Sequence, residues 1–100
     1  MEIQVATKNV NLTDDVKSYA ENKIHKLSRY LNNITTAKIE LSEERSKSRQ
    51  HHFTAQVTIN VNGFIIRGEQ KAENVKASVD KVEGVMERLL SKYKKKYEVN

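Results

Sequence analysis

Apolar residues recur along this chain at two spacings, and each change of spacing marks a new element. Between Glu2 and Lys8, Ile3, Val5 and Thr7 lie on one side and Glu2, Gln4 and Lys8 on the other, which predicts a half-buried strand. After a connection over 9–12, Thr13 supplies an N-cap. Asp14 and Asp15 occupy the first turn, where the helix dipole favours acids. The spacing then predicts a helix to Tyr30 or Leu31, with Val16, Ala20, Ile24, Leu27 and Leu31 on its core stripe. Tyr19 and Tyr30 flank that stripe, and Lys23, Lys26 and Arg29 lie toward the same edge. Asn32 and Asn33 end the helix, because asparagine tolerates the left-handed backbone that stops one.

Alternation resumes at Ala37, Ile39 and Leu41 and predicts a second strand to Glu43. The segment 44–52 has no apolar residue and carries Arg45, Lys47 and Arg49, so it reads as an exposed basic loop. Phe53, Ala55, Val57, Ile59 and Val61 give the cleanest period of two, and Asn62-Gly63 follows as a type I′ hairpin signal. A two-residue turn pairs Val61 with Phe64, Ile59 with Ile66 and Val57 with Gly68, so pattern and turn agree on one register. Asn74 then caps a long helix whose Val75, Val79, Val82, Met86, Leu89, Leu90, Tyr93 and Tyr97 form one apolar face. Gly84 sits inside it at about 1 kcal/mol relative to alanine, for which close approach of a neighbour is one physical reason. Lys94 to Asn100 are expected to fray.

The order is β-α-β-β-β-α, an α+β fold. A helix between the first two strands favours a parallel crossover, and the next two connections suit antiparallel pairing. Both helices then run parallel on one face of a four-stranded sheet. Its other face, with Gln4, Lys38, Glu40, Thr54, Gln56, Thr58 and Arg67, is polar and wet.

One hundred residues make a single domain over 1–100, too small for a multidomain enzyme. No apolar run approaches a membrane span and no signal-peptide pattern opens the chain, so a cytoplasmic protein without membrane contact is expected. Cysteine is absent, which removes disulfides and thiolate metal sites. His51-His52 lacks ligand geometry, the serines lack a nucleophile elbow, and the glycines are too dispersed to cradle phosphate. Neither an enzyme, a metal, a cofactor nor a small-molecule substrate is expected.

The net charge of +5 changes the picture, because it is sorted. At roughly 100° per residue, Lys81, Arg88, Lys92 and Lys95 form one stripe on the last helix, and Glu73, Asp80, Glu83 and Glu87 lie on the opposite flank. The stripe spans about 21 Å, enough to follow several phosphates of an RNA backbone. The wet sheet face carries no aromatic for base stacking, and Tyr93 and Tyr97 read as helix-end packing. A protein-interaction module using the sheet edge or Ile65, and a generic double-stranded RNA binder, are the alternatives.

Several stretches carry a family likeness: the opening V-A-T-K-N-V-N-L-T, then K-I-H-K-L-S-R-Y-L, the V-N-G hairpin, and the closing N-V-K-A-S-V-D and E-R-L-L-S-K-Y-K-K-K. Together they resemble the ribosome hibernation promoting factors, the ribosome-associated translation inhibitors of bacteria and plastids. The resemblance implies a fold similar to double-stranded-RNA-binding domains. It also implies a cytosolic, non-enzymatic protein lodged between head and body of the small ribosomal subunit, where it silences translation under stress. By matching position it implies rRNA contacts at Lys8, Lys23, Lys26, Arg88 and Lys92, to which the helical stripe adds Lys81 and Lys95. The chain departs from the family pattern at Asn74, Lys76 and Val85, the last removing one expected basic contact. The resemblance fits both a short factor and the N-terminal domain of a long, ribosome-pairing one.

Overall fold

The computed structural model describes residues 1–44 and 53–97; the basic segment read from the sequence therefore lies, beyond Glu44, outside the described residues. Strand β1 (Glu2–Lys8), helix α1 (Asp14–Lys26), strands β2 (Ile34–Glu43), β3 (Phe53–Val61) and β4 (Phe64–Ala72), and helix α2 (Val75–Tyr97) follow in order. The sheet order is β1-β2-β3-β4. The β1–β2 pair is parallel, and the other two pairs are antiparallel.

Local chemistry sets the element ends. Thr13 Oγ1 accepts from the Val16 amide at 3.2 Å, and Asn74 Oδ1 accepts from the Ala77 amide at 2.8 Å. Each side chain thereby satisfies a donor that its helix leaves orphaned. The end of α1 differs from the sequence expectation. Neither Asn32 nor Asn33 has positive φ. Instead the helix tightens into a 3₁₀ turn over Leu27–Arg29, closed by the Tyr30 amide on the Leu27 carbonyl at 3.1 Å. The next strand then starts at Ile34, three residues before the alternation becomes clean, and its register with β3 shifts between Ile34 and Thr36. At the other end of the chain α2 continues through Tyr97, so residues 94–97 are helical rather than frayed.

The hairpin forms in the register that its pattern and turn dictate. Asn62 and Gly63 have φ of 53° and 82°, and Val61, Ile59 and Val57 pair with Phe64, Ile66 and Gly68. Ile39, Leu41, Val57 and Ile59 from the sheet and Ile24, Leu27, Val82, Met86 and Leu90 from the helices are essentially inaccessible. They form one core between the helix layer and one sheet face. Contacts between the helices advance together along both chains, from Asp15–Lys76 through Lys23–Asp80 to Lys23–Glu83, so α1 and α2 run parallel.

Close approach of a neighbour occurs at Gly68, not at Gly84. A Cβ on Gly68 would stand 2.7 Å from Met86 Sδ and 3.2 Å from Val85 Cγ1, whereas one on Gly84 meets nothing within 4 Å. Gly68→Ala should therefore destabilise the protein by about 1–3 kcal/mol through overpacking. Gly84→Ala should stabilise it by about 1 kcal/mol by removing backbone freedom from a helix interior. Urea midpoints of the two variants check both signs.

Candidate nucleic-acid interface

The flanks of α2 meet different surroundings, and that difference builds the site. Its three acids, Asp80, Glu83 and Glu87, face α1. The Tyr19 hydroxyl donates to Asp80 at 2.5 Å, and Lys23 Nζ lies 3.3 Å from Asp80 and 3.7 Å from Glu83. The ammoniums of Lys23 and Lys76 stand 5.5 and 5.1 Å from the centre of the Tyr19 ring, within cation–π range. Lys76 is fixed in turn by Asp15 at 2.8 Å. Farther along the seam Tyr30 and Glu87 border the same cleft.

These contacts hold protons. The hydrogen bond to Asp80, with burial and the Asp80 charge behind it, pushes the Tyr19 phenol up. Burial alone would pull the Lys23 ammonium down, but the Asp80 hydrogen bond and the Glu83 and Asp80 charges outweigh it and raise it. The hydrogen bond and charge of Asp15 raise Lys76. Partial burial and the Glu87 carboxylate raise Tyr30.

With Asp80 and Glu83 engaged, α2 leaves the cations of its other flank bare. Arg88, Lys92 and Lys95 converge with Tyr30, Ser91 and the half-buried Glu87 around a shallow cleft of about 370 Å³. None of the three makes an ion pair with another described residue. Lys81 is exposed and equally unpaired two turns earlier on the same helix, and Lys26 is exposed and unpaired at the last position of α1.

The other two sequence-derived positions lie elsewhere. Lys23 is half-buried in the interhelical seam, with its charge shared by two carboxylates. Lys8 lines the largest cavity, about 810 Å³ on the open sheet face, among Glu40, Glu43, Glu44 and Glu69. It pairs in register with Ser42, which opposes Thr54 and then Lys71 across the sheet, whereas Lys92 borders the Phe64 end of β4. Strand spacing and rise place these two ends on the order of 20 Å apart. Tyr30, in turn, belongs to the cationic cleft. The sequence shows it only beside the core stripe of α1, and the parallel registration of the helices brings it to Glu87.

Among the described residues no group of three or more His, Asp or Glu side chains could hold a metal, and no helix is long and apolar enough to cross a membrane.

Two helices on one face of a mixed four-stranded sheet define a class of small α+β domain represented among solved structures. The N-terminal domain of Protein Y from Thermus thermophilus superposes with a TM-score of 0.77 at 23% identity, covering 93% of this chain and 99% of that one. A ribosomal subunit interface protein from Coxiella burnetii superposes with a TM-score of 0.82 at 20% identity, covering 94% and 98%. The chain belongs to the Ribosomal_S30AE family, the Sigma 54 modulation protein / S30EA ribosomal protein family, whose model matches residues 3–98. Similar proteins include the ribosome hibernation promotion factor of Deinococcus radiodurans, 34% identical over 94% of this chain and 49% of the relative. Those of Picosynechococcus sp. (30% identical, 96% and 50%) and Staphylococcus aureus (31%, 86% and 44%) are also similar. The chain thus spans about half the length of the curated relatives it matches.

The seam carries a pH signature. Lys23, Lys76 and Tyr19 all favour their protonated forms in the folded state. Their contribution is therefore complete below the ordinary values, 10.5 for the lysines and 10.0 for the tyrosine, and is lost as pH rises through the higher folded values. The urea midpoint should show no change from these groups between about pH 7 and 9.5 and should fall above about pH 10.5. Tyr19→Phe, which keeps the ring and loses the hydroxyl, should lower the midpoint at neutral pH and flatten the alkaline fall.

Proposed function

We propose that this domain binds small-subunit ribosomal RNA in the channel used by tRNA and mRNA, and that by occupying the channel it blocks translation under stress or in stationary phase. The reading rests on one observation: Asp80 and Glu83 of α2 are engaged by α1, while Arg88, Lys92 and Lys95 converge, unpaired among the described residues, on an exposed cleft. Unpaired cations spaced along a rigid rod suit phosphates, because each neutralised phosphate releases condensed counterions and the rod holds the contacts at fixed intervals. Lys81 and Lys26 extend the positive surface. Lys23 shares its charge with Asp80 and Glu83 in the interhelical seam, and Lys8, exposed at the sheet end, would make a contact separate from this flank.

Relatives named ribosome hibernation promotion factors support the ribosomal partner. Occupancy alone would inhibit, so the reading requires no cofactor and no chemistry, and it fits a cytoplasmic protein.

Two measurements test it. Reversing Arg88 and Lys92 to glutamate should abolish co-sedimentation with small subunits and leave thermal stability nearly unchanged, because exposed charges contribute little to folding. A double variant that still pellets with the subunit removes this flank as the contact. For about four phosphates, the log–log salt dependence of RNA binding should have a slope of roughly −3. A flat salt response would contradict a phosphate-reading surface.

A further inference from the structure

Beside the cationic cleft lies a second feature that phosphate contact does not use. Three aromatic rings meet where the β3–β4 hairpin touches the end of α2. Phe64 lies 5.4 Å from Tyr93 and 5.5 Å from Tyr97, and the two tyrosines lie 4.9 Å apart, all with tilted planes. Such a cluster could simply staple the hairpin to the helix, but then its rings would be covered. Phe64 is 47% exposed and Tyr97 52% exposed, so both present ring surface to solvent. Tyr93 and Tyr97 thus pack at the helix end as the sequence predicts, but Tyr97 is not on the buried part of the apolar face. The rings line a groove of about 360 Å³ together with Arg67, Lys92 and Lys96. None of these cations forms an ion pair with another described residue, and Lys96 Nζ stands 5.4 Å from the Tyr97 ring centre.

We propose that this corner is a nucleobase-stacking subsite that takes one unpaired base of a single-stranded RNA segment. The charge decides the occupant. A groove made for an apolar strand or a second copy of this chain would not be ringed by three unneutralised cations. One made for a bare phosphate would not need two half-exposed rings. A base on Phe64 and Tyr97 with its flanking phosphates on Lys92 and Lys96 satisfies both requirements, and sequence tolerance follows because every base has a π face. Lys92 borders both this groove and the cleft around Arg88 and Lys95, so one strand could run from the stacked base onto the phosphate-reading flank. The inference rests on the RNA-binding reading above and adds an unpaired base to it.

The test uses the whole chain and two RNA heptamers, one carrying 2-aminopurine at its centre and one abasic there. The wild type should quench 2-aminopurine fluorescence and bind the base-containing heptamer about tenfold more tightly than the abasic one. Phe64→Leu and Tyr97→Leu, which keep an apolar side chain, should lose both the quench and the discrimination while keeping the salt slope of the wild type. Circular dichroism matching the wild type shows that the variants are folded. Equal binding of the two heptamers by the wild type overturns the inference, as does a quench that survives the double leucine variant. Self-association of the RNA-free protein that depends on Phe64 and Tyr97 would make the corner a protein contact and overturn it as well. Small-subunit pelleting without any base discrimination sinks only this proposal; absence of pelleting by the wild type sinks the ribosomal reading instead.

Discussion

The rotation of α2 about its own axis governs what this molecule displays. Burial of Val79, Val82, Met86 and Leu90 ties the helix to the sheet, but apolar burial is non-directional and by itself tolerates some roll. The seam to α1 removes that freedom. Tyr19 and Lys23 grip Asp80 from one side, Lys23 reaches Glu83, and Lys76 returns to Asp15. Partly exposed pairs of this kind contribute about 0–1 kcal/mol each, so their main effect is orientation rather than stability. Gly68 gives the same result from below, since the missing Cβ lets Met86 and Val85 settle onto β4.

Once the rotation is set, the sorted charges of α2 acquire separate tasks. Asp80 and Glu83 are paired across the seam, and Lys81, Arg88, Lys92 and Lys95 project from the other flank without ion-pair partners among the described residues. Screening at physiological ionic strength acts over about 8 Å, so a cation beside an acid on the same surface would be largely cancelled at the range where a phosphate is met. Segregation avoids that. The open sheet face is mixed, with Glu40, Glu43, Glu44 and Glu69 beside Lys8 around one cavity and Lys38 and Arg67 around another. Around the cleft on the cationic flank of α2, Arg88, Lys92 and Lys95 outnumber one half-buried acid, Glu87, an excess of positive charge that neither of these sheet-face cavities matches.

The hairpin–helix corner shows how the same frame combines two kinds of contact. The I′ turn at Asn62-Gly63 fixes Phe64 at the start of β4, and the length of α2 carries Tyr93 and Tyr97 over it. Shortening α2 by one turn would remove Tyr97 and Lys96 together. Helix length, turn type and strand register therefore converge on one place, although each is dictated locally.

Much of this was written in short-range patterns. Alternation and the Asn-Gly turn set the β3–β4 register, Thr13 and Asn74 set where the helices begin, and the 3.6-residue period separated the acids of α2 from its cations. These follow from the sequence alone because each depends on neighbours a few residues away. The end of α1 was misread because a 3₁₀ turn satisfies its last carbonyls without a left-handed asparagine. The glycine that mattered was Gly68, because close approach is a property of two elements and not of one. Lys8 shares a cavity with acids of other strands and Lys23 is paired with carboxylates of the other helix, neighbours that no spacing along the chain announces. Only the tertiary arrangement could decide which lysines are free, because a charge is neutralised by whatever folds against it, and that partner can be sixty residues away.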